Sequence, residues 1–158
     1  MSFKSFLLGG AAALLTLPAF AGDILVKDAY ARSASAVAKT GAAFMEIENT
    51  GAVADRLVAV RSDAAARVEL HTHLSGGDGI MRMVEVKDGF EIPANGAHML
   101  KRGGDHVMFM GLTGPLTDGE TVSVTLVFEH AGEVAVEIPI DSKRMPEGHG
   151  GHGAHKTH

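Results

Sequence analysis

The 158 residues carry 14 basic and 19 acidic side chains, a formal charge of −5, and 46% hydrophobic residues. That is one domain's length with enough apolar side chain for a core, and with no Lys/Arg cluster able to neutralise a row of phosphates, which argues against a nucleic-acid partner. Cysteine is absent, which removes disulfides, thiolate metal sites and thiol nucleophiles whatever the redox compartment.

Residues 1–21 open with a single Lys4, run apolar from Phe6 to Leu17 and end on Ala19, Phe20 and Ala21, a small-x-small cleavage pattern. The run is too short for a membrane span, contains Gly9 and Gly10 and is followed by Pro18, so it reads as a secretory signal peptide cleaved before Gly22. The expected product is a soluble, acidic, exported protein with no membrane insertion.

From Gly22 the chain falls into short runs at 24–31, 41–49, 56–62, 67–73, 80–86, 90–92, 98–101, 106–111, 121–129 and 134–140. Most alternate or are β-branched, and Val122, Val124, Leu126 and Phe128 against Ser123, Thr125 and Val127 is the clearest half-buried strand. Glycine-bearing turn signals at 49–51, 75–79, 87–89, 94–96, 117–119 and 131–132 separate the runs. Runs this short and this regularly punctuated predict an all-β antiparallel sandwich or barrel over residues 22–141. Residues 142–158 hold almost no apolar side chain, and from His149 place a histidine at every third position, His149, His152, His155 and His158, with glycine between the first three. Such a segment cannot build a core and is expected to be a flexible His-rich tail.

Three short segments inside the domain carry only imidazole and thioether at i, i+2 spacing. These are His71 and His73, Met81 and Met83, and His106, Met108 and Met110 behind the Gly103-Gly104 turn. On a strand that spacing puts each set on one face. Imidazole and thioether bind without losing a proton, so a site built from them adds no negative charge and suits a soft monovalent ion such as Cu(I). The competing reading is methionine as core filler and histidine as a satisfied polar group, which for any single residue is the commoner case. A sandwich can gather such ligands from strand ends and loops at one pole, and that is where a mononuclear site is expected.

The segments Val68-Glu69-Leu70-His71, Met81-Arg82-Met83, Glu91-Ile92-Pro93-Ala94 and 103–112 resemble the periplasmic copper chaperone family called PCuAC, whose pattern is H-(M)-x10-M-x21-H-x-M. His71 to Met83 fits the first spacing with Thr72 at the optional methionine, and His106-Val107-Met108 fits the H-x-M; residues 84–105 make the middle interval one longer than the pattern. The resemblance covers essentially the whole mature domain. It implies a cupredoxin-like β-sandwich binding one Cu(I) through His71, Met83, His106 and Met108. It further implies delivery of copper to the CuA centre of cytochrome c oxidase subunit II, directly or with a Sco-type protein, by a periplasmic monomer. His73, Met81 and Met110 are reserve positions, with His73 able to replace His71 or to support it. Some members carry a similar extension associated with Cu(II), so the four tail histidines are candidates for a Cu(II) site. His98 and His130 read as ordinary surface histidines.

No Ser-His-Asp order or paired-carboxylate signature accompanies these ligands, and without cysteine a blue-copper centre is excluded, so an enzyme is not expected. The alternative is a general periplasmic copper or zinc buffer whose β-sandwich is structural.

Overall fold

A computed structural model describes residues 22–146. Ten strands, and no helix among the described residues, follow the predicted runs closely: β1 (Ile24–Ser33), β2 (Thr40–Asn49), β3 (Asp55–Arg61), β4 (Ala65–Ser75), β5 (Met81–Glu85), β6 (Phe90–Ile92), β7 (Gly96–Leu100), β8 (His106–Leu112), β9 (Thr121–Phe128) and β10 (Gly132–Pro139). They form two antiparallel sheets. The larger has the order β1-β2-β8-β4-β5, with β7 also pairing β2, and the smaller has the order β10-β9-β3-β6.

Alternation decides which side chains meet between the sheets. Val122, Val124, Leu126 and Phe128 of β9, with Leu57 of β3 and Val134 and Ile138 of β10, face Ala43, Met45 and Ile47 of β2, Leu70 of β4 and Val107 and Phe109 of β8 in one buried cluster. Each such side chain contributes about 1.5–3 kcal/mol on burial, so a strand that slipped by one residue would forfeit several at once.

The outer face of the larger sheet has a smaller buried group of its own. On β1 the pairing register shifts between Lys27 and Tyr30, and Asp28 takes a left-handed φ of 52°. This bulge inserts a residue, so Val26 before it and Ala31 after it both turn to the core while Tyr30 turns outward. There Tyr30 lies opposite Phe44, with ring centroids 5.1 Å apart, and both are buried.

Asp55 ties the two sheet ends of β3 and β9. It is buried, and its carboxylate accepts from the backbone N–H groups of Arg56 at 2.7 Å and of His130 and Ala131 at 2.9 Å. Burial alone pushes its carboxyl pKa up, but these donors together outweigh burial and hold it below the ordinary value. Stability from this group is therefore present above the unfolded value of about 3.9 and is lost as pH falls through the lower folded value. Asp55→Ala should cost about 3 kcal/mol at neutral pH, since it strands buried donors. Denaturant unfolding from about pH 2 to 7 checks this: the deficit should shrink at the acid end, and a deficit independent of pH would exclude the carboxylate as its source.

Candidate metal centre

Strand pairing assembles the site. Antiparallel β4 and β8 place His71 directly opposite His106 and Glu69 opposite Met108, while β4 and β5 place His73 opposite Met83. Directly paired residues share a face. Because Leu70 and Val107 are paired and buried inward, His71, His73, His106, Met108 and Met83 all project from the outer face of the larger sheet. The residues stand on a sheet face toward the end where β8 begins with His106 and β4 closes two residues after His73, because three neighbouring strands each supply alternate positions. Thr72 falls on the opposite face of β4 from His71, paired with Val84.

His106 is the pivot. Only 2% of it is exposed, and its ring centroid lies 6.0 Å from that of His71, 5.1 Å from that of His73 and 6.2 Å from that of Phe44. Its Nδ1–H donates to the Gly104 carbonyl at 2.9 Å, and His73 Nδ1–H donates to the same oxygen at 3.3 Å. A carbonyl only accepts, so both protons sit on Nδ1 and both Nε2 atoms keep a lone pair. The turn that presents this carbonyl needs Gly103 at φ +82°, a conformation side chains rarely adopt. His71 has the opposite arrangement, with Nε2 2.9 Å from Glu69 Oε2.

Beside these rings an open hollow of about 340 Å³ is lined by Phe44, His73, Met83, Arg102, His106 and Met108 among others. Its lining contains no Asp or Glu and two arginines, Arg32 and Arg102. His71 borders the hollow only through His106. Met83, on edge strand β5, is 44% exposed. Of the reserve positions the structure brings His73 into the hollow and leaves the others outside it: Met81 is exposed on β5, and Met110 Sδ lies 3.4 Å from Arg67 Nη2. Among the described residues no group of three or more His, Asp and Glu is arranged to hold a metal. The side chains beside the imidazoles that could add further donors are the thioethers of Met83 and Met108, and thioether sulfur suits a soft ion.

Two features were not anticipated. His98 was expected to be a surface residue, but β7 pairs it with Ile47 on the inner side, where it stacks on Phe90 (centroids 5.1 Å apart, planes 16°) and contacts Asp105 at 2.8 Å. His130 is exposed, as expected. Beyond residue 141 the chain continues to make contacts. The Asp141 carboxylate accepts from the Lys143 and Arg144 N–H groups, Arg144 pairs with Asp28, and its guanidinium lies 4.4 Å over the Tyr30 ring. A basic side chain able to lie over an aromatic ring was the missed signal. The signal-peptide region, 1–21, and the tail histidines His149, His152, His155 and His158 lie outside the described residues.

This is a β-sandwich with a thioether and imidazole face on its larger sheet, and comparison with known proteins places it among PCuAC domains. Residues 24–140 match the family described as "Putative lipoprotein LpqE-like", and the chain belongs to that family. A relative named "Putative lipoprotein Lxx21020", from Leifsonia xyli subsp. xyli, is 39% identical over 99 residues, covering 63% of this chain, which spans 59% of the relative's length. The copper-bound PCuAC domain of PmoF2 shares the fold with a TM-score of 0.63 at 23% identity over 77% of this chain and 94% of that one. The protein DR1885 of Deinococcus radiodurans matches in its apo form at 31% identity and a TM-score of 0.59, over 90% of this chain and 95% of that one. Its CuI form matches at 34% and 0.56, over 75% and 79%.

Burial, the largest cause, together with His73 and His71 pushes the His106 pKa below its ordinary value against the opposing pull of the Gly104 carbonyl and Asp105. The neutral ring is favoured in the folded chain. The copper-free protein should therefore have this stability in full above about pH 6.5 and lose it as pH falls toward the folded value. Thermal unfolding of the copper-free protein between about pH 5 and 7.5 checks this: Tm should fall less steeply in His106→Asn than in the parent, and equal slopes would contradict it.

Proposed function

We propose that this chain is an exported copper metallochaperone, not an enzyme, that holds one Cu(I) through His71, Met83, His106 and Met108. The observation that carries this reading is the neutral sulfur and nitrogen donor set on one sheet face, beside a hollow with arginines and no carboxylate. Thioethers and neutral imidazoles stabilise Cu(I), while the arginines disfavour Cu(II) and Zn(II). Membership of the LpqE-like family and likeness to proteins titled copper-bound and CuI forms support copper as the cargo.

In this reading the exposure gradient sets the order of release. Met83 on the edge strand is the ligand an acceptor displaces first, and buried His106 is the last to let go. The acceptor we propose is the CuA domain of cytochrome c oxidase subunit II, reached directly or through a Sco-type protein. The leader pattern at 1–21 and the lipoprotein names of the family and its relative support a periplasmic location, although the sequence has no cysteine to carry a lipid. The tail histidines are the proposed Cu(II) site, since imidazole suits Cu(II) better than Cu(I).

Anaerobic Cu(I) titration with X-ray absorption at the copper edge tests the core reading. A mixed sulfur and nitrogen shell is expected, and an all-nitrogen shell would overturn it. Met83→Leu and Met108→Leu should each lower Cu(I) affinity tenfold or more, about 1.4 kcal/mol, while leaving the fold intact because leucine nearly matches methionine in volume. Parental affinity in the double variant under a competing chelator would remove the thioethers from the site.

Ending the chain after Pro146 separates the two copper sites and keeps Arg144 on Tyr30. Cu(I) binding should remain at one equivalent and Cu(II) capacity should fall. CuA loading, read by its absorbance, should drop only when copper is supplied as Cu(II). Loss of Cu(I) binding would mean that tail histidines complete the principal site.

A further inference from the structure

His71 Nδ1 is the only buried side-chain nitrogen or oxygen without a hydrogen-bond partner among the described residues. The other ring nitrogen, Nε2, faces Glu69 Oε2 at 2.9 Å. A carboxylate only accepts, so Nε2 carries the proton and Nδ1 presents a lone pair. Glu69 is itself braced. Its Oε1 lies 3.5 Å from Arg67 Nε, and Arg67 is held in turn against Met110. Arg67, Glu69 and His71 thus form a row along the outer face of β4, parallel to the row of Met110, Met108 and His106 on β8.

A buried lone pair with no donor is unfavourable in the metal-free chain and is relieved by a cation. His71 stands directly opposite His106, whose own Nδ1 is occupied by Gly104. We propose that His71 binds copper through Nδ1 and that Glu69 is the positioning residue that makes this the ligating atom. Glu69 holds the proton on Nε2, fixes the ring's rotation and makes the imidazole a better donor. The inference rests on the Cu(I) reading above and adds to it the ligating atom and the residue behind it.

Cu(I) is diamagnetic, so the imidazole nitrogens of the mature full-length chain can be followed by long-range ¹H–¹⁵N NMR. Without copper, His71 should show a single Nε2–H tautomer. On addition of Cu(I), the Nδ1 resonance should shift while Nε2–H persists. Glu69→Ala should lose the tautomer preference and bind Cu(I) about 10- to 100-fold more weakly. Glu69→Gln, whose amide oxygen still accepts from Nε2–H, should restore the tautomer and most of the affinity. Circular dichroism confirms that both variants fold. Copper on His71 Nε2, or parental affinity in Glu69→Ala, would overturn the proposal. The copper-free tautomer is read before metal is added, so a mixed tautomer there overturns the role of Glu69 even where the Cu(I) site stands. An all-nitrogen X-ray absorption shell would instead remove the site reading, and with it the Nδ1 assignment.

Discussion

Everything at the candidate metal centre depends on the register between β4 and β8. His71 faces His106 across this pair because Leu70 faces Val107 and Val68 faces Phe109 on the other side of the same two strands. A slip of one residue would carry the imidazoles into the core and the apolar side chains into water, so the hydrophobic interior fixes the geometry of a polar site it never touches. β8 is central in its sheet, flanked by β2 and β4, and carries the least exposed of the donor residues. β5 is an edge strand and carries one of the most exposed.

Burial on the outer face has to be built separately, since a sheet's second face ordinarily meets water. The bulge at Asp28 turns Tyr30 outward onto Phe44, and Phe44 in turn borders His106. Arg144 lies over the Tyr30 ring. This small apolar shelf dries His106 enough to keep it neutral, which is the form that can donate a lone pair to a metal. Under the proposed function, the arginines lining the hollow would act in the same direction, favouring a monovalent cargo over a divalent one.

Strand positions were legible in the sequence because turn residues punctuate it and because alternation in β9 is a local property. The face carrying the donors was legible for the same reason, since His106 and Met108, and His71 and His73, are two apart. What was not legible depends on pairing between distant segments. The placement of the site on a sheet face follows from β4 lying between β8 and β5, an order that no local pattern contains. His98 looked like a surface residue because its stacking partner Phe90 belongs to the other sheet. The outward turn of Tyr30 needs a bulge at a non-glycine residue, and the anchoring of Arg144 needs Tyr30 to be there. Glu69, two residues before His71 on the same strand, was within reach of alternation alone. Its role as an acceptor depends on which nitrogen of His71 faces it, and no sequence pattern encodes that.

The three histidines show how a small face can be organised by hydrogen-bond acceptors. The Gly104 carbonyl takes the Nδ1 protons of both His73 and His106, and Glu69 takes the Nε2 proton of His71. In each case an acceptor that cannot donate removes the choice of tautomer and leaves one lone pair available. One backbone oxygen thereby sets two rings, and it can do so only because the glycine at 103 bends the 101–105 turn back toward β4. Pinning protons this way orders the donors before a metal arrives, so less conformational freedom is lost on binding. It does so without placing a carboxylate among the residues that line the hollow.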